Sequence, residues 1–203
     1  MLRRIMVMLA MATGLLAAGA KADDAGLDAM LADRALGAAN APVTIYEYAS
    51  FTCPHCARFH RETLPEIKKA YVDTGKVRLI FRDFPFDGLA LRAGMLARCA
   101  PPERYFAFLD TLFASQDRWA RASDPLGALS QIGRVGGLSA QQIEACFSNR
   151  ALMDGVVKIR YDNEQKLGIN STPTFFVNGV KLEGAASFTE FQAVIEAALK
   201  KAS

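Results

Sequence analysis

The chain has 203 residues, 51% hydrophobic and 22% charged, with a formal net charge of +3. That composition suits one globular domain, or one domain carrying an insertion. No lysine- or arginine-rich run stands out, so a nucleic-acid footprint is not supported.

Met1 to Arg4 is a short basic start, and residues 5–18 are uncharged and mostly apolar. Ala18-Gly19-Ala20 and Ala20-Lys21-Ala22 are both small-x-small cleavage patterns. This is the grammar of a signal peptide over 1–20, with cleavage after Ala20 or Ala22. The apolar run is too short to span a bilayer comfortably. Cutting after Ala20 removes Arg3 and Arg4 and leaves a net charge of +1, so nothing calls for an acidic partner. Export places the cysteines in an oxidising compartment.

Residues 21–40 carry a weak apolar pattern at Leu27, Met30 and Leu31 and read as a short helix or arm. The segment from Pro42 to Ser50 is rich in β-branched and aromatic residues and reads as a strand. Both of its faces are apolar apart from Glu47, which shares a face with Val43 and Ile45, so a central strand buried on two sides is expected. From Cys53 a helical pattern runs through His60, Leu64, Ile67 and Tyr71, with a kink expected at Pro65. Val77 to Phe81 reads as a second strand, completing a βαβ unit that is normally parallel.

Residues 87–166 read as helices over 88–100, 102–116, 124–134, 140–148 and 151–166. Ser139 and Gln142 supply a capping box for the fourth of these. Strand character returns at 174–177 and 180–182, around Asn178-Gly179, the strongest short hairpin signal. A last amphipathic helix starts after Ser187, with Glu190 completing its capping box.

The chemistry concentrates in Ser50 to His60, which holds Cys53, Cys56 and both histidines of the chain, His55 and His60. Cys53 falls at a helix start, with Pro54 in the first turn, where proline costs least. Unpaired backbone N–H groups and the helix dipole favour a thiolate there, and a cationic or N–H-donating His55 adds to this. Cys56, one turn further in, stays a thiol. The asymmetry defines a nucleophile and a resolving cysteine. A zinc-binding or redox-sensing interaction module is the competing reading, with Cys53, Cys56 and His60 as three of four ligands. No second Cys-x-x-Cys arm exists to complete it, and no metal is expected. A structural Cys53–Cys56 staple is disfavoured because so tight a loop is strained and reducible. His60 lies on the apolar stripe of its helix and reads as a packing residue.

Cys99 and Cys146 each lie near a helix end. A structural bridge between them is expected in an oxidising compartment. Two separate buried thiols are the alternative.

With the βαβ frame, Cys53-Pro54-His55-Cys56 resembles the DsbA-like thiol:disulfide oxidoreductases of the thioredoxin superfamily. The match extends to Thr172-Pro173 just before a strand, to Glu47 six residues before Cys53, and to the helical block. The resemblance implies an α/β thioredoxin domain over 41–86 and 167–203, with 87–166 as an inserted helical subdomain. It implies Cys53 and Cys56 as the catalytic pair, with Pro54, His55 and Glu47 tuning them. It also implies Thr172 with a cis Pro173 as the place where substrate chain is held. No cofactor beyond the redox-active disulfide is implied. The partners would be reduced secreted proteins and a membrane partner resembling DsbB, in the periplasm, for a monomeric oxidase. A disulfide isomerase or reductase of the same fold is the alternative. Threonine before the proline favours it; the short segment of about twenty mature residues before the fold opposes it.

Overall fold

A computed structural model describes residues 26–202. The signal peptide expected over 1–20 lies outside the described residues, as do 21–25 of the arm. Among the described residues no helix is long and apolar enough to cross a membrane.

A short helix, α1, covers 26–31. It is followed by β1 (Arg34–Leu36), β2 (Val43–Ala49) and, after a long helix, β3 (Val77–Asp83). The chain closes with β4 (Thr174–Val177) and β5 (Val180–Glu183). These five strands form one sheet in the order β1-β3-β2-β4-β5. β2 and β3 are parallel, while β1 on β3, β4 on β2 and β5 on β4 are antiparallel. β2 is therefore a central strand. Val43, Ile45 and Glu47 have no exposure at all, and Tyr48 and Ala49 are nearly as buried.

β1 is not apparent in the sequence. Its three residues, Arg-Ala-Leu, carry no β-branched signal, and the strand exists because β3 offers it an edge, with Arg34 opposite Phe81.

The helix after β2, α2, runs over 54–72 and is continuous through Pro65. π-helical turns at Phe59–Thr63 and Lys68–Val72 flank the α-helical Leu64–Ile67. The Leu64 N–H bonds the Phe59 carbonyl, five residues back. The wider turn accommodates the proline, which lacks a donor and crowds the preceding carbonyl. His60 lies in the first π turn.

α2 and the last helix, α9 (Phe188–Ala202), pack against one face of the sheet. The core there is Val43, Ile45, Phe59, Ile67, Phe175 and Phe191. On the other face Tyr48 packs with Phe84 and Ile169.

Between β3 and β4 come α3 (Gly88–Cys99), a 3₁₀ turn at Pro102–Arg104, α4 (Tyr105–Ala114) and α5 (Gln116–Ala120). Then follow α6 (Pro125–Val135), α7 (Ala140–Ser148) and α8 (Arg150–Leu167). The single helix read over 102–116 is thus divided, and Gln116 becomes the first residue of α5. The α7 capping box forms, with Ser139 and Gln142 bonded reciprocally. Ser187 and Glu190 also bond, at the start of α9. In the β4–β5 hairpin Asn178 and Gly179 both take positive φ, at 44° and 89°. A βαβ unit joined to a ββα unit, with helices inserted between them, is the thioredoxin fold carrying a helical insertion.

The Sγ atoms of Cys99 in α3 and Cys146 in α7 are bonded. The bond sits in a small core of Met95, Leu152 and Val156, against which Leu27, Met30 and Leu31 of α1 also pack.

Candidate active site

The parallel strands β2 and β3 end together, with Ala49 opposite Asp83. Ligand sites in such sheets gather beyond the C-terminal strand ends. Ser50 to Thr52 leave β2 there and Cys53 starts α2, at extended φ and ψ, with Pro54 in the first turn. The turn is held from three directions. Thr52 Oγ1 donates to Asp87 Oδ2 at 2.6 Å, and Asp87 also caps α3 by accepting from the Ala90 N–H. Gln116 Nε2 donates to the Phe51 and Cys53 carbonyls at 2.7 and 2.9 Å. Opposite, the Thr172–Pro173 peptide is cis, and Cys53 Sγ lies 3.2 Å from the Thr172 carbonyl oxygen.

The two thiols differ as their places dictate. Cys53 is half-buried, and its pKa is pulled from about 9 down to about 5. Hydrogen bonding from Cys56 contributes most. Partial burial opposes it, and Thr172 and the backbone N–H groups of Cys56 and His55 add to the lowering. Cys56 has no exposure. Burial, then its bond and proximity to Cys53, push its thiol well up. A thiolate at the surface beside a buried thiol is the arrangement that thiol–disulfide exchange needs.

His55 and Pro54 are exposed. Arg58 Nη2 lies 2.8 Å from His55 Nδ1. A guanidinium only donates, so Nδ1 accepts and the ring proton sits on Nε2. His55 therefore lowers the Cys53 pKa through its backbone N–H.

Glu47 and His60 meet in the core, with Oε1 to Nε2 at 2.8 Å and side chains 0% and 2% exposed. His60 does pack, stacking on Phe113 at 4.2 Å between ring centroids. It is also the partner of the buried acid, which its place on an apolar stripe did not suggest. His60 thus bonds Glu47 and His55 bonds Arg58, rather than either cysteine. Among the described residues no group of three or more His, Cys, Asp or Glu is placed to hold a metal ion. Gln116, Arg58 and the Glu47–His60 bond were not apparent from local sequence.

The model of the family described as Thioredoxin matches residues 30–197. Among solved structures, alpha-DsbA1 of Wolbachia pipientis is 38% identical, with a TM-score of 0.78 over 84% of this chain and 92% of that one. The chain belongs to the DsbA-like family of thioredoxin-fold proteins. BdbD of Bacillus subtilis, another solved structure, is 26% identical with a TM-score of 0.76, over 83% of this DsbA-like chain and 93% of that chain. A Rickettsia bellii protein that carries a protein-disulfide oxidoreductase name is 31% identical over 83% of this chain. The DsbA-like chain spans 65% of the length of that relative and 61% of a Rickettsia conorii one.

Proposed function

We propose that this DsbA-like protein is a periplasmic thiol:disulfide oxidase, which donates a Cys53–Cys56 disulfide to reduced secreted proteins through a mixed disulfide at Cys53. One observation carries the reading, the Cys53 thiol drawn down to about 5 beside a fully buried Cys56. Stabilising the thiolate stabilises the reduced form, so the disulfide becomes the stronger oxidant. DsbA itself is the standard case of this relation, with a thiolate pKa of about 3.5 and a potential of about −120 mV, against about 7 and −270 mV for thioredoxin. In this reading Thr172 and Pro173 hold the substrate chain by strand-like backbone bonds beside Cys53. Glu47 moves the proton of Cys56, and a membrane partner resembling DsbB reoxidises the pair.

Equilibration with glutathione buffers tests the reading. The expected potential lies well above thioredoxin's value of about −270 mV, and a potential at that value overturns an oxidase role. A disulfide isomerase or reductase kept reduced is the second reading, favoured by threonine at 172. Thiol trapping in cells separates the two, since a mostly oxidised Cys53–Cys56 pair fits only the oxidase.

A further inference from the structure

Exchange at Cys53 leaves a proton to be placed. When a substrate thiolate attacks Cys53 Sγ of the oxidised protein, a substrate–Cys53 disulfide forms and the Cys53–Cys56 bond breaks. Cys56 departs with the electron pair as a thiolate. It is fully buried, so its proton must arrive inside the protein. In the reverse direction Cys56 must lose that proton before it attacks the mixed disulfide.

Glu47 and His60 are placed for this. Ala49 and Glu47 share one face of β2, and Cys56 and His60 lie about one turn apart on α2. Ala49 packs in the same core as Cys56, while Glu47 bonds His60. A 2.8 Å separation between Nε2 and Oε1 requires a hydrogen between them, whichever atom carries it. The outer atoms, Glu47 Oε2 and His60 Nδ1, are buried and without a hydrogen-bond partner among the described residues. Each thus has an unused proton site, one on the acid and one on the base. Phe113 stacks on the imidazole at 18° between planes, and Phe59 meets it edge-on, so its orientation is fixed. His60 also borders an open cleft of about 400 Å³ between α2 and α4.

We propose that His60 is a positioning residue for the exchange reaction: bonded to Glu47, it holds the proton that Glu47 delivers to the departing Cys56, and it exchanges that proton with solvent through the cleft between α2 and α4. The inference rests on the thiol-exchange reading above. One proton passes from the Glu47–His60 pair to the Cys56 thiolate and one returns to the pair from water. No electrons pass between the pair and the cysteines.

Other charged groups surround the route. Arg61, Lys68, Lys69 and Asp73 face the cleft from α2 and the turn after it, and Asp110 faces it from α4. Phe81 is the β3 residue against the ring, and it is uncharged. The Tyr105 hydroxyl, at the start of α4, responds to Asp83, Arg98, Arg34 and Glu47 and is itself pushed well up by burial. It stays protonated throughout the working range.

The test is the rate at which dithiothreitol reduces the Cys53–Cys56 disulfide of the full chain, measured against pH and divided by the dithiothreitol thiolate fraction. Wild type is expected to keep an inflection in the corrected profile. His60→Gln, which preserves a donor toward Glu47 but has no ionisable ring, leaves Glu47 to titrate alone, so the inflection should move and the variant should react about tenfold or more slowly. His60→Asn is the second variant should the first not fold. The Glu47→Gln/His60→Gln pair should be no slower than Glu47→Gln alone. A His60→Gln profile that matches wild type overturns the proposal. So does a corrected wild-type profile without an inflection, which decides the matter even if neither variant accumulates. Failure to form any reducible Cys53–Cys56 disulfide would instead sink the oxidoreductase reading itself.

Discussion

Gln116 Nε2 donates to the carbonyl of Cys53 at 2.9 Å while also holding the Phe51 carbonyl at 2.7 Å. One side chain from the helical insertion thus fixes the turn that presents the nucleophilic cysteine. The amide is buried, so these two acceptors have no ready exchange for water.

Gln116→Leu is therefore expected to lower stability by about 1–3 kcal/mol, because buried carbonyls lose their donor. Gln116→Glu should be worse, since it sets an acceptor against two acceptors. Urea unfolding of both variants checks the order, and thiolate absorbance at 240 nm should show Cys53 titrating away from its wild-type pKa of about 5. Unchanged stability and titration would show that the contact is incidental.

A second expectation concerns pH. The folded reduced protein holds the Cys53 pKa at about 5, whereas an unfolded thiol titrates near 9. Between those values the unfolded chain binds more protons at this site, so the contribution of Cys53 to stability rises with pH. It is complete above about 9 and is lost as pH falls through about 5. Cys56, pushed up by burial, remains a thiol across this window. Urea midpoints of reduced wild type should therefore climb relative to reduced Cys53→Ser from pH 5 to 8. Parallel curves for the two proteins would refute the shift.

Much of this was legible in the sequence because it is local. Alternation marks β2, Asn178-Gly179 marks the hairpin, and Cys53-Pro54-His55-Cys56 carries both the redox spacing and a helix start. What escaped depends on partners far along the chain. β1 is a strand only because β3 has a free edge. Gln116 reaches a turn 63 residues away from it, and the break at Ser115 that places it at the head of α5 is invisible to helical periodicity. His60 matches an apolar stripe equally well whether it merely packs or also bonds Glu47; only the register of α2 over β2 decides.

The Arg98–Asp83 pair carries a third expectation. Arg98 Nε bonds Asp83 Oδ2 at 2.6 Å, with both side chains almost fully buried. Arg98 Nη1 also donates to the Met30 and Ala32 carbonyls, tying the end of α1 to α3. Arg98→Met leaves Asp83 charged and unpaired and should cost about 3–5 kcal/mol. Adding Asp83→Asn removes that stranded charge and should recover part of the loss. Equilibrium unfolding of the two variants checks this; a double variant less stable than Arg98→Met would contradict it.

The bond between Cys99 and Cys146 joins positions 47 residues apart. Closing a loop of that length removes chain entropy from the unfolded state equivalent to roughly 4 kcal/mol. Replacing both cysteines with alanine is expected to lower the urea midpoint by a corresponding amount. The pair lies in the core beneath α1, against Met95 and Leu152, and is separate from the core that packs against Cys53. Its loss should therefore act on stability more than on the site, leaving the Cys53 titration near its wild-type value. A double variant as stable as wild type would mean that the core of Met95, Leu152 and Val156 holds α3, α7 and α8 together without the covalent link.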